Sequence, residues 1–151
     1  MMNHIILVSD MIIAIFAIVT GIFAWKQHKL NKSLLKIECY SRREKIYNEM
    51  RGFLERIMMK GNVERNDSIR LISNTRPAKF LFRSDSIIKY INELYLNSIS
   101  FTNQMREIYS KNIDDVNKNK LLGENEELMV WFSNQIEVLD KKFEKYLSLK
   151  T

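Results

Sequence analysis

Two histidines, His4 and His28, and one cysteine, Cys39, are all the imidazole and thiol this chain contains. A Ser-His-Asp triad or a Cys-His pair needs an imidazole beside its nucleophile, and the common zinc and di-iron centres draw on His. Both histidines flank an apolar stretch near the N-terminus, so no such site can be built from the residues that follow. The glycines Gly21, Gly52, Gly61 and Gly123 stand apart, whereas a phosphate loop or dinucleotide fingerprint needs several close together so that backbone can wrap the phosphates. Acid clusters remain, Asp114 with Asp115 and Glu124 with Glu126 and Glu127. Their spacing fits a solvated loop and a helix start better than a metal or acid–base site. No catalytic, cofactor-binding or metal-binding residue is assigned, no cofactor is expected, and the chain reads as a non-enzyme.

The cations offer binding instead. All 24 Lys and Arg lie at or after Lys26, and Asp10 is the one acid before it. The positive excess therefore belongs to the part that follows the apolar stretch. Lys26, Lys29, Lys32 and Lys36 come directly after that stretch and are expected to meet anionic lipid, each contributing about 1 kcal/mol when close to a charged surface. Arg76, Lys79 and Arg83 surround Phe80, Leu81 and Phe82 and are expected to contact a partner. Arg42, Arg43 and Lys45 read as a solvated helix face. Nucleic acid is another usual partner of a basic chain. Here the cations are spread out with acids among them and the aromatics recur at core spacing, so nucleic acid is not expected.

The elements that position these residues follow from periodicity. From Ile5 to Trp25 the one charge is Asp10, and at 1.5 Å rise per residue the stretch reaches about 31 Å, close to the roughly 30 Å hydrocarbon core of a bilayer. This predicts a transmembrane helix over residues 5–25, preceded by a short external segment 1–4. A signal peptide would need a basic leading region, which is missing, so the helix is expected to be uncleaved. The lysines after Trp25 place the remainder in the cytoplasm by the positive-inside rule. The expected location is the bacterial inner membrane, single-pass, N-terminus outside. Asp10 has two readings. It lies near enough to the outer leaflet for water or headgroups to reach it, or it joins Ser9 and Thr20 in a helix–helix contact within lipid, where Gly21 permits close approach.

Cys39 excludes an intrachain disulfide and fits a reducing compartment. Its plain reading is a small apolar residue on a helix face, and the alternatives are an intermolecular disulfide or acylation. No Pro precedes Pro77, so the first helix is expected to run on as a juxtamembrane helix over residues 26–60. Tyr40, Tyr47, Met50, Leu54 and Ile57 form its apolar stripe, and Gly61 and Asn62 stop it. A short helix is expected from Asn66 or Asp67 to just before Pro77, with Ile69, Leu71 and Ile72 buried. Ser84, Asp85 or Ser86 caps the next, whose seam is Ile87, Ile91, Leu94, Ser98, Phe101, Met105 and Ile108. Residues 113–125 read as a loop. The last helix carries Met129, Phe132, Ile136, Leu139, Phe143 and Tyr146, with Glu124, Glu126 and Glu127 in its first turn. The expected fold is all-α, with an antiparallel three- or four-helix bundle completed by residues 61–151.

The apolar first helix, Lys79-Phe80-Leu81-Phe82, Ile87-Ile88-Lys89-Tyr90-Ile91, Trp131-Phe132 with Gln135, and Lys142-Phe143 with Tyr146-Leu147 together resemble small bacterial single-span membrane proteins with a helical cytoplasmic domain. The resemblance implies fold and topology, and it marks Phe80, Phe82, Trp131, Phe143 and Tyr146 as core. The abundance of Ile, Asn and Lys resembles chains from AT-rich mobile or phage-derived regions, an association with phage-defence or similar accessory systems. The functional expectation is a membrane-tethered interaction module, an adaptor, sensor or assembly subunit binding another protein or itself. The alternative is a membrane-active effector whose helices oligomerise in the bilayer.

Overall fold

The structure, a computed structural model, describes the backbone of residues 2–110 and 113–148 and, within these, the side chains of Met11 and of Ile13 onward. Five helices follow one another among the described residues: α1 (Met2–Lys60), α2 (Arg65–Thr75), α3 (Ala78–Leu81), α4 (Asp85–Ile108) and α5 (Asp115–Leu147). The chain divides into two compact units, Met1–Cys39 and Tyr40–Thr151.

The described residues of the first unit lie within α1. Among the described residues no helix is long and apolar enough to cross a membrane, which overturns the expected transmembrane helix. The physical reason is length. The charge-free run in the sequence, Met11 to Trp25, reaches about 22 Å at helical rise, under the roughly 30 Å required, with Asp10 directly before it and Lys26, His28 and Lys29 directly after. Asp10 and Ser9, the polar residues expected inside the bilayer, lie outside the described side chains.

The second unit is an all-helical, bundle-like assembly. Ile46, Met50, Phe53, Leu54 and Ile57 are buried along α1, one stripe at three- and four-residue steps that an amphipathic helix must cover. Gly61 ends α1 with φ of 60°, a left-handed conformation that costs glycine little, and its N–H donates to the Ile57 carbonyl at 2.8 Å. The α1 stripe meets Leu71 of α2, Ile87, Ile91, Leu94 and Phe101 of α4, and Phe132, Leu139 and Phe143 of α5 in one core. Two hydroxyls and a phenol enter this interior already satisfied. Thr75 donates to the Leu71 carbonyl, Ser98 to the Tyr95 carbonyl, and Tyr90 to the Gln135 carbonyl at 2.9 Å. Burial, with Glu93 and Asp140 adding negative potential, raises the Tyr90 phenol well above its ordinary value.

Local expectations shift in three places. Ile69 is exposed, because the buried positions of α2 are Ser68, Leu71 and Thr75. Phe80 is exposed although it was read as core. The expected loop over residues 113–125 is helical from Asp115. Asp114 starts α5 there: its carboxylate accepts from the Asn117 backbone N–H at 2.8 Å and from the Asn117 carboxamide at 2.6 Å. Capping of the free N–H groups outweighs the poor helix propensity of Asn and Gly.

Candidate interaction surface

Pro77 fixes the backbone at φ of −68° and opens α3, a single turn wedged between α2 and α4. Its C-terminal side is anchored inward. Phe82 packs edge-on against Phe143 and Tyr146, with ring centroids 5.1 and 5.0 Å apart, a geometry that the ring quadrupoles favour. The Arg43 guanidinium lies over the Phe82 and Tyr146 rings and donates from Nε and Nη2 to the Leu81 carbonyl at 3.2 and 3.1 Å. The Tyr146 phenol is held below its ordinary pKa, foremost by a hydrogen bond from Ser84 and also by Lys145 and Arg43.

With Phe82 turned in, helical geometry turns Phe80 out. Its ring is 71% exposed, and the Lys79 ammonium lies 4.7 Å from its centroid. A groove flanks α3 on each side. One, of about 410 Å³, runs over Ile72, Thr75 and Ile88 and carries Arg76, Lys79 and Asn92 on its walls. The other, of about 390 Å³, runs over Pro77, Phe80 and Leu81 and carries Arg42, Lys45 and Asn74. Glu49, an acid close by, is already engaged by Asn74 at 3.0 Å and Arg70 at 3.7 Å. The result is an apolar ledge rimmed by cations, with an exposed ring at its crest. Such a surface can seat an apolar side chain and pair acids around it; it has no nucleophile with an activating base.

Of the three residues expected to meet a partner, Arg76 and Lys79 share the first groove. Arg83 does not join them; it takes φ of 48° at the turn that follows α3 and is not among the residues lining either groove. Arg43, read from sequence as solvated, is instead the anchor. Its signal was present, since Arg43 lies three residues before Ile46 and seven before Met50 and so continues the buried stripe.

In the first unit Lys26, Lys29, Lys32 and Lys36 are exposed, and the Lys29 ammonium lies 5.8 Å from the centroid of the Trp25 ring. Thr20 donates to the Phe16 carbonyl at 2.6 Å, so its hydroxyl is satisfied within the helix. A Cβ on Gly21 would meet no other atom of this chain within 4 Å. Cys39 is exposed. The acids have local roles: Asp114 caps α5, and Glu124 accepts from Gln104 at 3.1 Å. Among the described residues no three His, Cys, Asp or Glu side chains come together as a metal site. No protein-family model matches the chain, and neither a curated protein nor a solved structure shows significant similarity to it.

Proposed function

We propose that the chain is a membrane-tethered helical interaction module that binds an acidic partner on the α3 ledge. The observation that carries this reading is Phe80, an aromatic residue 71% exposed that lines one cation-rimmed groove and follows Lys79 of a second. The ring adjoins the apolar lining of Pro77 and Leu81 with Arg42 and Lys45 at its rim, and an apolar patch with a polar, charged rim is the anatomy of an interface. Tethering is supported by the exposed apolar side chains from Ile13 to Trp25 and by the four lysines behind them. The proposed tether is adsorption to a lipid surface with anionic headgroups, at the cytoplasmic face of a bacterial inner membrane, without a crossing segment. A membrane-active effector whose helices oligomerise within the bilayer draws less support, because among the described residues no helix is long and apolar enough to cross a membrane. Photo-cross-linking of the full chain from position 80 tests the reading. A specific protein adduct that Lys79→Glu abolishes is expected; adducts indifferent to that reversal would reject it.

A further inference from the structure

Resting on that reading of the ledge, we infer that its occupant is a second copy of this chain, which presents the first half of α5. Charge makes the first argument. From Arg70 to Arg83 there are four cations and no acid, whereas from Asp114 to Val130 there are five acids and two lysines. Arg70 already faces Glu49 at 3.7 Å and Lys120 already faces Glu124 at 3.9 Å, which leaves three cations on the first side against four acids and one lysine on the second. Ledge against ledge would oppose cations, and α5 against α5 would oppose acids. Ledge against α5 pairs opposite signs.

Shape makes the second argument. No residue of α5 before Asn125 is buried, so its first turns are not covered by the chain's own core. Val116, Gly123, Glu127 and Val130 follow at seven-, four- and three-residue steps and share one helix face. Val116 is 80% and Val130 63% exposed, an apolar pair without a partner in the fold. A Cβ added at Gly123 would meet nothing within 4 Å, which leaves a shallow gap between them. Phe80 of one copy fills that gap in the next, with Lys79 facing Glu127 and with Arg76 and Lys45 facing the neighbouring acids. The contact is heterologous, so it closes into a ring or continues as a filament.

The experiment uses the full chain with Cys39→Ser, so that introduced thiols are alone. Ser73→Cys, on the wall of the first groove beside Arg76 and Lys79, and Gly123→Cys chains are oxidised each alone and as a mixture, and circular dichroism verifies that each retains wild-type helicity. The expected result is a mixed disulfide dimer that exceeds either self-dimer. Glu127→Lys in the Gly123→Cys chain lowers its yield roughly tenfold, and Lys79→Glu in the Ser73→Cys chain restores it. Equal yields from all pairings, as adhesion of the apolar N-terminal segments would give, overturn the inference, as does a charge exchange that restores nothing. If position 80 instead captures a different protein and never its own chain, the second-copy inference falls while the ledge remains a docking site. If position 80 captures nothing, both fall.

Discussion

Arg43 and Leu81 are joined by two hydrogen bonds to one carbonyl, from Nε at 3.2 Å and Nη2 at 3.1 Å, across 38 residues of sequence. This tie holds the end of α3 against α1 while the guanidinium covers the rings of Phe82 and Tyr146. Arg43→Ala leaves the Leu81 carbonyl unpaired and uncovers both rings. The expected loss is about 1–3 kcal/mol of unfolding free energy, the range for hydrogen bonds from a charged donor. Arg43→Lys should recover only part of it, because an ammonium lacks the planar fork. Urea unfolding at constant m-value measures the loss; wild-type stability in Arg43→Ala would remove Arg43 as the anchor.

Phe143 and Phe80 separate the fold from the proposed function. Phe143 has no exposed surface and touches Tyr47 and Phe82 with centroids 5.6 and 5.1 Å away. Phe143→Ala is expected to cost about 3–5 kcal/mol through lost burial and the cavity left behind. Phe80→Ala should change stability by less than about 0.5 kcal/mol while removing partner capture. Thermal unfolding of both variants checks the contrast, and a strongly destabilised Phe80→Ala would make that ring a structural residue.

The bundle was legible because its stripes are regular: Ile87, Ile91, Leu94, Ser98, Phe101 and Ile108 are buried as their spacing predicts. What misled was local competition. Asn and Gly over residues 113–125 argued for a loop, yet one capping carboxylate, Asp114, was enough to extend α5 through them. Phe80 looked like core because Phe82 does; their two-residue separation puts them on different sides of a helical turn, which composition cannot reveal. In the first unit, the expected span counted residues on both sides of Asp10, whereas the charge-free run from Met11 to Trp25 is too short for one, and among the described residues no helix is long and apolar enough to cross a membrane.

The Asp114 cap predicts an acid limb. Backbone and side-chain hydrogen bonds from Asn117 hold its carboxyl below the ordinary aspartate value. The folded form thus prefers the carboxylate, and the stabilisation is complete above the unfolded pKa and lost as pH falls through the depressed folded one. Hydrogen exchange at the Asn117 and Lys118 amides should accelerate over that acid interval relative to interior amides of α5. Asp114→Asn, which keeps a capping oxygen without the charge, should flatten the response. An unchanged acid dependence in that variant would assign the effect to another group.

Vesicle flotation examines the tether. The full chain should rise with vesicles containing anionic lipid and less with neutral ones, since four lysines follow the apolar residues and each contributes about 1 kcal/mol near a charged surface. Replacing Lys26, Lys29, Lys32 and Lys36 with Gln should erase the difference between the two compositions. A chain that stays at the bottom of the gradient with both would rule out lipid contact.

The central claim is that Phe80 and its cations form a docking surface, and the most direct measurement is a comparison of cross-linking yields. A benzophenone-bearing residue is placed in the full chain at position 80 and, in a separate chain, at Ser133, an exposed position on α5. The account predicts one discrete adduct from position 80, none from position 133, and loss of the adduct at high salt or with Lys79→Glu, because the rim charges are solvent-exposed and screened by ions. Equal labelling from the two positions, or an adduct that survives both treatments, would contradict it.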